Sequence, residues 1–172
     1  MDTADGIFSG RPKERRLEIM RDSRVGALGV LTLVALLLLK LTFINQLPYK
    51  DKLWILVLAP ALGRTIMLYA ISFFPYARQG PGLGRSFGNK ISKWYVVVAL
   101  FLVLIVSYLL GGPWVLGYIF ITVPWMVGLC HYINNLLGGH TGDTYGAICE
   151  VSETLFIIMA VIVIKINGVY LG

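Results

Sequence analysis

GALGVLTLVALLLLKLTFINQL, residues 26–47, carries a single charge, Lys40. A helix rises ~1.5 Å per residue, so a run of this length covers the ~30 Å of hydrocarbon in a bilayer. No water is available there to bond the amides, which leaves a helix as the form in which they satisfy one another. Four further runs read the same way: Leu53–Phe74, Trp94–Leu110, Trp114–Leu137 and Gly146–Leu171. The expected fold is therefore all-α, a polytopic helical membrane protein with about five transmembrane helices. Residues 1–172 form a single integral membrane domain, divided into a cytoplasmic acidic motif with an interfacial helix (1–25) and a bundle (26–172). Cytoplasmic loops are expected near 76–93 and 138–145. Pro60, Gly63 and Arg64 fall inside the second run, which is expected to break or kink there.

Composition agrees. Hydrophobic residues make up 57% of the chain and charged ones 14%, against roughly 45–50% and 25% in soluble domains. The net charge of +6 does not mark a nucleic-acid binder, because the basic residues gather at the ends of apolar runs, where they set orientation. Arg11, Lys13, Arg15, Arg16, Arg21 and Arg24 precede the first run, and Arg78, Arg85, Lys90 and Lys93 lie between the second and third. Only Lys50 and Lys52 fall in the loop between the first two. The N-terminus is therefore expected inside and the C-terminus outside. On that parity the N-terminal segment, the loop at 78–88 and the loop around Asp143 all face one compartment. Lys40 and Lys165 are expected to snorkel to the outer interface. Cys130 and Cys149 have no partner at a metal or redox spacing and read as packing residues. His131, inside the fourth run, reads as a packing or hydrogen-bonding residue.

Polar chemistry concentrates in two places. In DTADG, residues 2–6, Asp2 and Asp5 stand three apart, so on a helix they share a face and can offer oxygen to a hard cation such as Mg²⁺. A helix cap is the plainer reading of so short a motif. The basic stretch Arg11–Arg24 reads as an amphipathic interfacial helix with Pro12 in its first turn and Leu17, Ile19 and Met20 on its apolar side. Glu14, Glu18 and Asp22 then form a carboxylate stripe; i,i+4 ion pairing is the alternative for Glu14. The second centre is GGHTGDTYGAICEVSE, residues 138–153, in which Asp143, Glu150 and Glu153 fall on one helical stripe. Each carboxylate costs about 2.5–3.5 kcal/mol at the bilayer centre and needs a metal or a basic partner. Gly138, Gly139 and Gly142 leave backbone free to approach phosphate. Arg64 needs a partner as well, either Glu150 or Glu153 or a substrate phosphate. The loop RQGPGLGRSFG, residues 78–88, lacks the lysine of a P-loop and reads as a connector or a phosphate cover. No Ser or Cys nucleophile pairs with His131 or His140. Carboxylates, arginines and glycines are the set that orients metal on a diphosphate while a hydroxyl displaces a nucleotide in line.

DTADGIFSGRPKERRLEIMRDSRVGALGV, LAPALGR, FPYARQGPGLGRSF and GGHTGDTYGAICEVSE, in that order, closely resemble the cobalamin synthase family, adenosylcobinamide-GDP ribazoletransferase. The resemblance implies a Mg²⁺-dependent enzyme of the cell (inner) membrane with its active site facing the cytoplasm. Such an enzyme joins adenosylcobinamide-GDP to α-ribazole or its 5′-phosphate and releases GMP in cobalamin biosynthesis. It implies that Asp2, Asp5 and Asp143 hold Mg²⁺, and that Glu18, Asp22 and Glu150 are further ligands or a base for the ribazole hydroxyl. Arg11 and Arg64 would steady phosphate oxygens, with His140, Thr141 and Arg85 as further substrate contacts. The partners implied are the two substrates and the lipid bilayer, without nucleic acid; a homo-oligomer is compatible with this reading. Members of the family usually carry further membrane segments and an acidic DG pair before DTADG. Met1 abuts that motif directly, so this chain is expected to be an N-terminally truncated form that begins within a longer active-site segment.

Two rivals remain at this stage. A CDP-alcohol phosphotransferase also opens its metal motif with DxxDG, but it continues with an Ala-Arg pair and two aspartates four apart. Here Ser9 and Gly10 follow, and Gly26 stands four beyond Asp22. A transporter would use the carboxylates for ion coupling and would need access from both sides, whereas the motifs gather on one.

Overall fold

The computed structural model describes residues 1–78 and 91–170. Seven helices form among these residues: α1 (Asp2–Phe8), α2 (Lys13–Ile19), α3 (Ala27–Gln46), α4 (Tyr49–Phe73), α5 (Trp94–Gly111), α6 (Pro113–Leu137) and α7 (Gly142–Tyr170). No strand forms among them. The five long helices are apolar and long enough to cross a membrane, and the chain is a multi-pass helical protein as its hydropathy implies. Each expected run appears within a few residues of its expected bounds.

The helix α7 is the axis of the bundle, packing on α4, α6, α3 and α1. Its apolar residues divide the core in two. Ile55, Leu58, Leu62, Val115, Tyr118 and Phe156 fill one end. Ile66, Ala70, Cys130, Ile133, Leu137 and Ile148 fill the other, and Met20 enters from the N-terminal segment. By contrast α3 and α5 present most of their surface outward: Gly29 is the buried residue of α3, and Val103 and Ser107 are those of α5. Exposed Leu31, Leu38, Leu41, Phe101 and Leu109 suit contact with lipid, which solvates them as well as a protein core would.

Three expectations are corrected. The helix α4 runs through Pro60 without the break that is one of the two forms expected there. The interfacial helix is much shorter than Arg11–Arg24. Pro12 is extended at ψ 157° and serves as the residue before α2 rather than in its first turn. At the other end the Asp22 carboxylate accepts the backbone N–H of Arg24 at 3.0 Å, a local turn that competes with helix. The helix α2 has ended at Ile19, so Asp22 lies beyond it, and Glu14, Glu18 and Asp22 do not form one stripe. Lys40 does not snorkel: its ammonium turns inward onto α7, 2.8 Å from Glu150 and 3.1 Å from Glu153. Lys165 bonds Gln46 Oε1 at the far end of the bundle.

Candidate active site

The short segments gather at the end of the bundle where α4 ends and α7 begins. Gly139, at φ 146°, lies where an added Cβ would meet the Ala77 N at 2.9 Å, so only glycine admits this approach. Two backbone bonds result, His140 N–H to Pro75 O at 2.9 Å and Ala77 N–H to His140 O at 2.8 Å. They carry Arg78 to α7, where its guanidinium meets Asp143 at 2.6 Å and donates to Met20 O at 2.9 Å. One arginine thus joins the end of α4, the end of α2 and the start of α7.

Thr141 and Thr144 begin α7. The Thr144 N–H donates to Thr141 Oγ1 at 3.3 Å, and the Thr141 N–H donates to Thr144 Oγ1 at 2.8 Å. This is a capping box with threonine in place of glutamate. Both are buried, and His140 beside them is buried between Phe74 and Tyr145. Burial pushes the His140 imidazole down to about 4, so it is neutral at pH 7. His140 and Thr141, expected as substrate contacts, are fully buried in this arrangement. Neither lines the two cavities described next.

At the N-terminus α1 lays Asp5 against the start of α3. Its carboxylate accepts from Gly26 N–H at 3.0 Å and Gly29 N–H at 2.8 Å, satisfying two of the donors that a helix start leaves open. A side chain at Gly26 or Gly29 would run into that carboxylate. The helix-cap reading of DTADG is thus realised by Asp5, on a helix more than twenty residues away.

Two cavities open beside α1. One, of about 420 Å³, lies between α1, α3, α6 and α7 and has Asp2, Asp143 and Glu150 on its wall with Ile7, Leu33 and Ile133. The other, of about 390 Å³, is bordered by Asp2, Asp5, Asp22 and Arg24. Asp2 belongs to both. Five of the six carboxylates expected at the site, Asp2, Asp5, Asp22, Asp143 and Glu150, therefore line one or other of these two cavities. Glu18 lines neither and pairs with Arg15 at 2.7 Å. The Arg24 side chain, and then its backbone N–H, hold the Asp22 carboxyl down to about 2, which keeps it ionised and makes it a weak base.

The expected phosphate-binding arginines lie elsewhere. Arg11 is exposed, with its carbonyl taking the Arg16 side chain. Arg64 faces the far side of α7, where it pairs with Glu153 at 3.3 Å, the ion-pair alternative of the two expected for it. Arg85 falls outside the described residues. Sequence reasoning missed Arg78 and Lys40. A search for cations able to reach the carboxylate stripe of α7 would have found both.

The donors around Asp2 are carboxylate oxygens, the chemistry a hard divalent cation takes. Among the described residues no three His, Cys, Asp or Glu side chains converge into a complete cage.

Residues 1–161 match the family described as cobalamin-5-phosphate synthase. Proteins named adenosylcobinamide-GDP ribazoletransferase are similar over most of the chain. That of Desulforamulus reducens is 45% identical over 161 residues, 92% of this chain and 64% of the relative. Those of Brevibacillus brevis and Roseiflexus are 36% and 44% identical, over 94% and 90% of this chain and 65% and 57% of the relatives. The chain thus spans less than two thirds of the length of these relatives. No solved structure matches it. The four motifs lie within the matched region, and the chain belongs to the cobalamin-5-phosphate synthase family.

Proposed function

We propose that this chain carries the carboxylate site of a membrane transferase that joins adenosylcobinamide-GDP to α-ribazole, or its 5′-phosphate, with release of GMP. The observation that carries this reading is the meeting of Asp2, from DTADG, with Asp143 and Glu150, from GGHTGDTYGAICE, on the wall of one cavity. The family and the names of its relatives supply the substrates.

In the reaction a hydroxyl oxygen of ribazole bonds to the cobinamide-linked phosphorus, the bond from that phosphorus to the oxygen of GMP breaks, and the hydroxyl proton passes to a base. Asp2 and Asp143, on the wall of one cavity, would hold Mg²⁺ together with substrate phosphate and water, and the ion would supply charge to the diphosphate and to the departing GMP; Asp5, a further expected ligand, borders the neighbouring cavity. Arg78 fixes the Asp143 carboxylate through their 2.6 Å contact. Glu150, on the wall of the same cavity as Asp143, would take the hydroxyl proton, while Asp22, bordering the neighbouring cavity, would serve the approach of cation and substrate. The bundle lies in the cell membrane with this end toward the cytoplasm, the side to which its basic residues point.

The test is release of GMP from adenosylcobinamide-GDP by membranes containing the chain, with and without α-ribazole. Release that requires both ribazole and Mg²⁺ supports the reading. Release independent of ribazole, or none from either this chain or one extended to the length of its relatives, refutes it.

A further inference from the structure

Lys40 is the fourteenth residue of α3, roughly 20 Å along the axis from its first residue at ~1.5 Å per residue. An ammonium at that depth either reaches an interface or finds an anion. Here it finds two, and its side chain is 18% exposed.

The two anions differ. Glu153 is 14% exposed, takes Lys40 on Oε2 and Arg64 on Oε1, and lines neither cavity at the α1 end. Glu150 is half exposed and stands on the wall of the cavity with Asp2 and Asp143, its Oε2 held by Lys40. The cavity wall around it from α3 and α6 is apolar, with Leu36 and Leu37 on one and Leu129 and Ile133 on the other. The cation that fixes the Glu150 carboxylate is thus delivered from α3, over 100 residues away in sequence.

We infer that Lys40 is a positioning residue for Glu150. It holds one carboxylate oxygen and leaves the other for the group in the cavity, and Arg64 balances Glu153 so that Lys40 need not be drawn away from Glu150. The inference rests on the transferase reading, since it gives Glu150 its work. It makes Lys40 part of the reaction without contact to any substrate.

The experiment is a double-mutant cycle on the full chain in membranes: Lys40→Met, Lys40→Arg, Glu150→Gln and the pair Lys40→Met with Glu150→Gln. Lys40→Met is expected to lower kcat for GMP release by roughly 10–100-fold, the usual effect of removing the partner that orients a functional ligand, with KM nearly unchanged. Lys40→Arg should restore most of that loss. In the Glu150→Gln background Lys40→Met should cost less than about twofold more, the scatter of non-interacting changes. An undiminished kcat in Lys40→Met, or a full further loss in the Glu150→Gln background, overturns the inference. Wild-type membranes that release no GMP, with this chain or with one extended to the length of its relatives, would instead fail the transferase reading. The Lys40–Glu150 link then rests on the same cycle read by thermal melting, where a loss on Lys40→Met that vanishes beside Glu150→Gln upholds it and an additive loss overturns it.

Discussion

Replacing Asp5 by alanine removes a carboxylate that accepts two backbone N–H groups at the start of α3, from Gly26 at 3.0 Å and Gly29 at 2.8 Å. Hydrogen bonds to a charged group contribute about 1.5–3 kcal/mol each. Loss of a helix cap costs about 0.5–2 kcal/mol. These overlap, because the same two bonds are counted in both, so Asp5→Ala is expected to cost about 2–4 kcal/mol. For a chain of this size each kcal/mol moves the melting temperature by about 2–4 °C, giving a fall of roughly 4–16 °C. Asp5→Asn keeps one acceptor oxygen and should fall by about half as much. The assay is thermal unfolding in detergent micelles followed by tryptophan fluorescence, with Asp2→Asn as the control. Asp2 lines the cavities without capping α3, so Asp2→Asn should stay within about 0.5 kcal/mol of wild type, as for a substitution that breaks no structural bond, while GMP release is lost. An Asp5→Ala protein that melts with wild type would refute the capping argument and return Asp5 to the role of a plain ligand.

Arg78→Met strands Asp143 and frees Met20 O; breaking a partly buried pair of this kind should cost about 2–3 kcal/mol, below the range for full burial because Asp143 keeps some solvent, and melting curves would show it. Thr141→Val removes the cap of α7 and should lower stability by about 1 kcal/mol, a loss that does not add to that of Thr144→Val in the same unfolding assay. His140 has a folded pKa of about 4 against ~6.5 when free. Its stabilising contribution is therefore complete above pH 6.5 and declines as pH falls toward 4, since the unfolded chain binds the proton first. A melting series across that window should slope downward on acidification, and less so in His140→Phe, which keeps the aromatic stack with Phe74 and Tyr145.

The helices were legible because the bilayer imposes a length and a polarity that any apolar run must meet, as residues 26–47 do. The meeting of DTADG with GDTYG was legible from parity, since an even number of crossings returns the chain to the same side. What escaped was set by tertiary approach. Thr141 and His140 look like phosphate contacts in a glycine-rich loop, yet Gly139 brings the backbone of residues 75–77 so close that their side chains are buried. Asp22 continues a helical spacing, but α2 stops at Ile19 and the Asp22 side chain takes the Arg24 N–H in a turn beyond it. Lys40 lies only six residues from the end of α3, about 9 Å by the rise of the helix, within reach of the interface. Nothing local distinguishes such a lysine from one that turns inward; the distinction lies in Glu150 and Glu153 on another helix.

The attachment of α3 shows why the acidic residues carry structure and chemistry together. Its apolar side chains gain little by leaving lipid for protein, so apolar burial does not hold it to the bundle. Polar links do, at three depths: Asp5 to Gly26 and Gly29 at its start, Lys40 to Glu150 and Glu153 in its second half, and Gln46 to Lys165 at its end. Interhelical side-chain links within the bundle average about 0.6 kcal/mol and reach ~1.7 kcal/mol, less than the helix cap made by Asp5, so the three act together. Two of the three end on residues of the cavity region, Asp5 and Glu150, and α3 itself supplies one wall of the larger cavity. A carboxylate lost there would both remove a chemical group and loosen the wall that shapes its surroundings. The two effects separate only where the polar partner is changed in place of the acid, as with Lys40, or where the backbone donors are crowded, as in Gly29→Ala. The latter leaves every acid in the chain and displaces one of them, so a fall in both melting temperature and turnover in that variant would show that the cap and the site are a single construction.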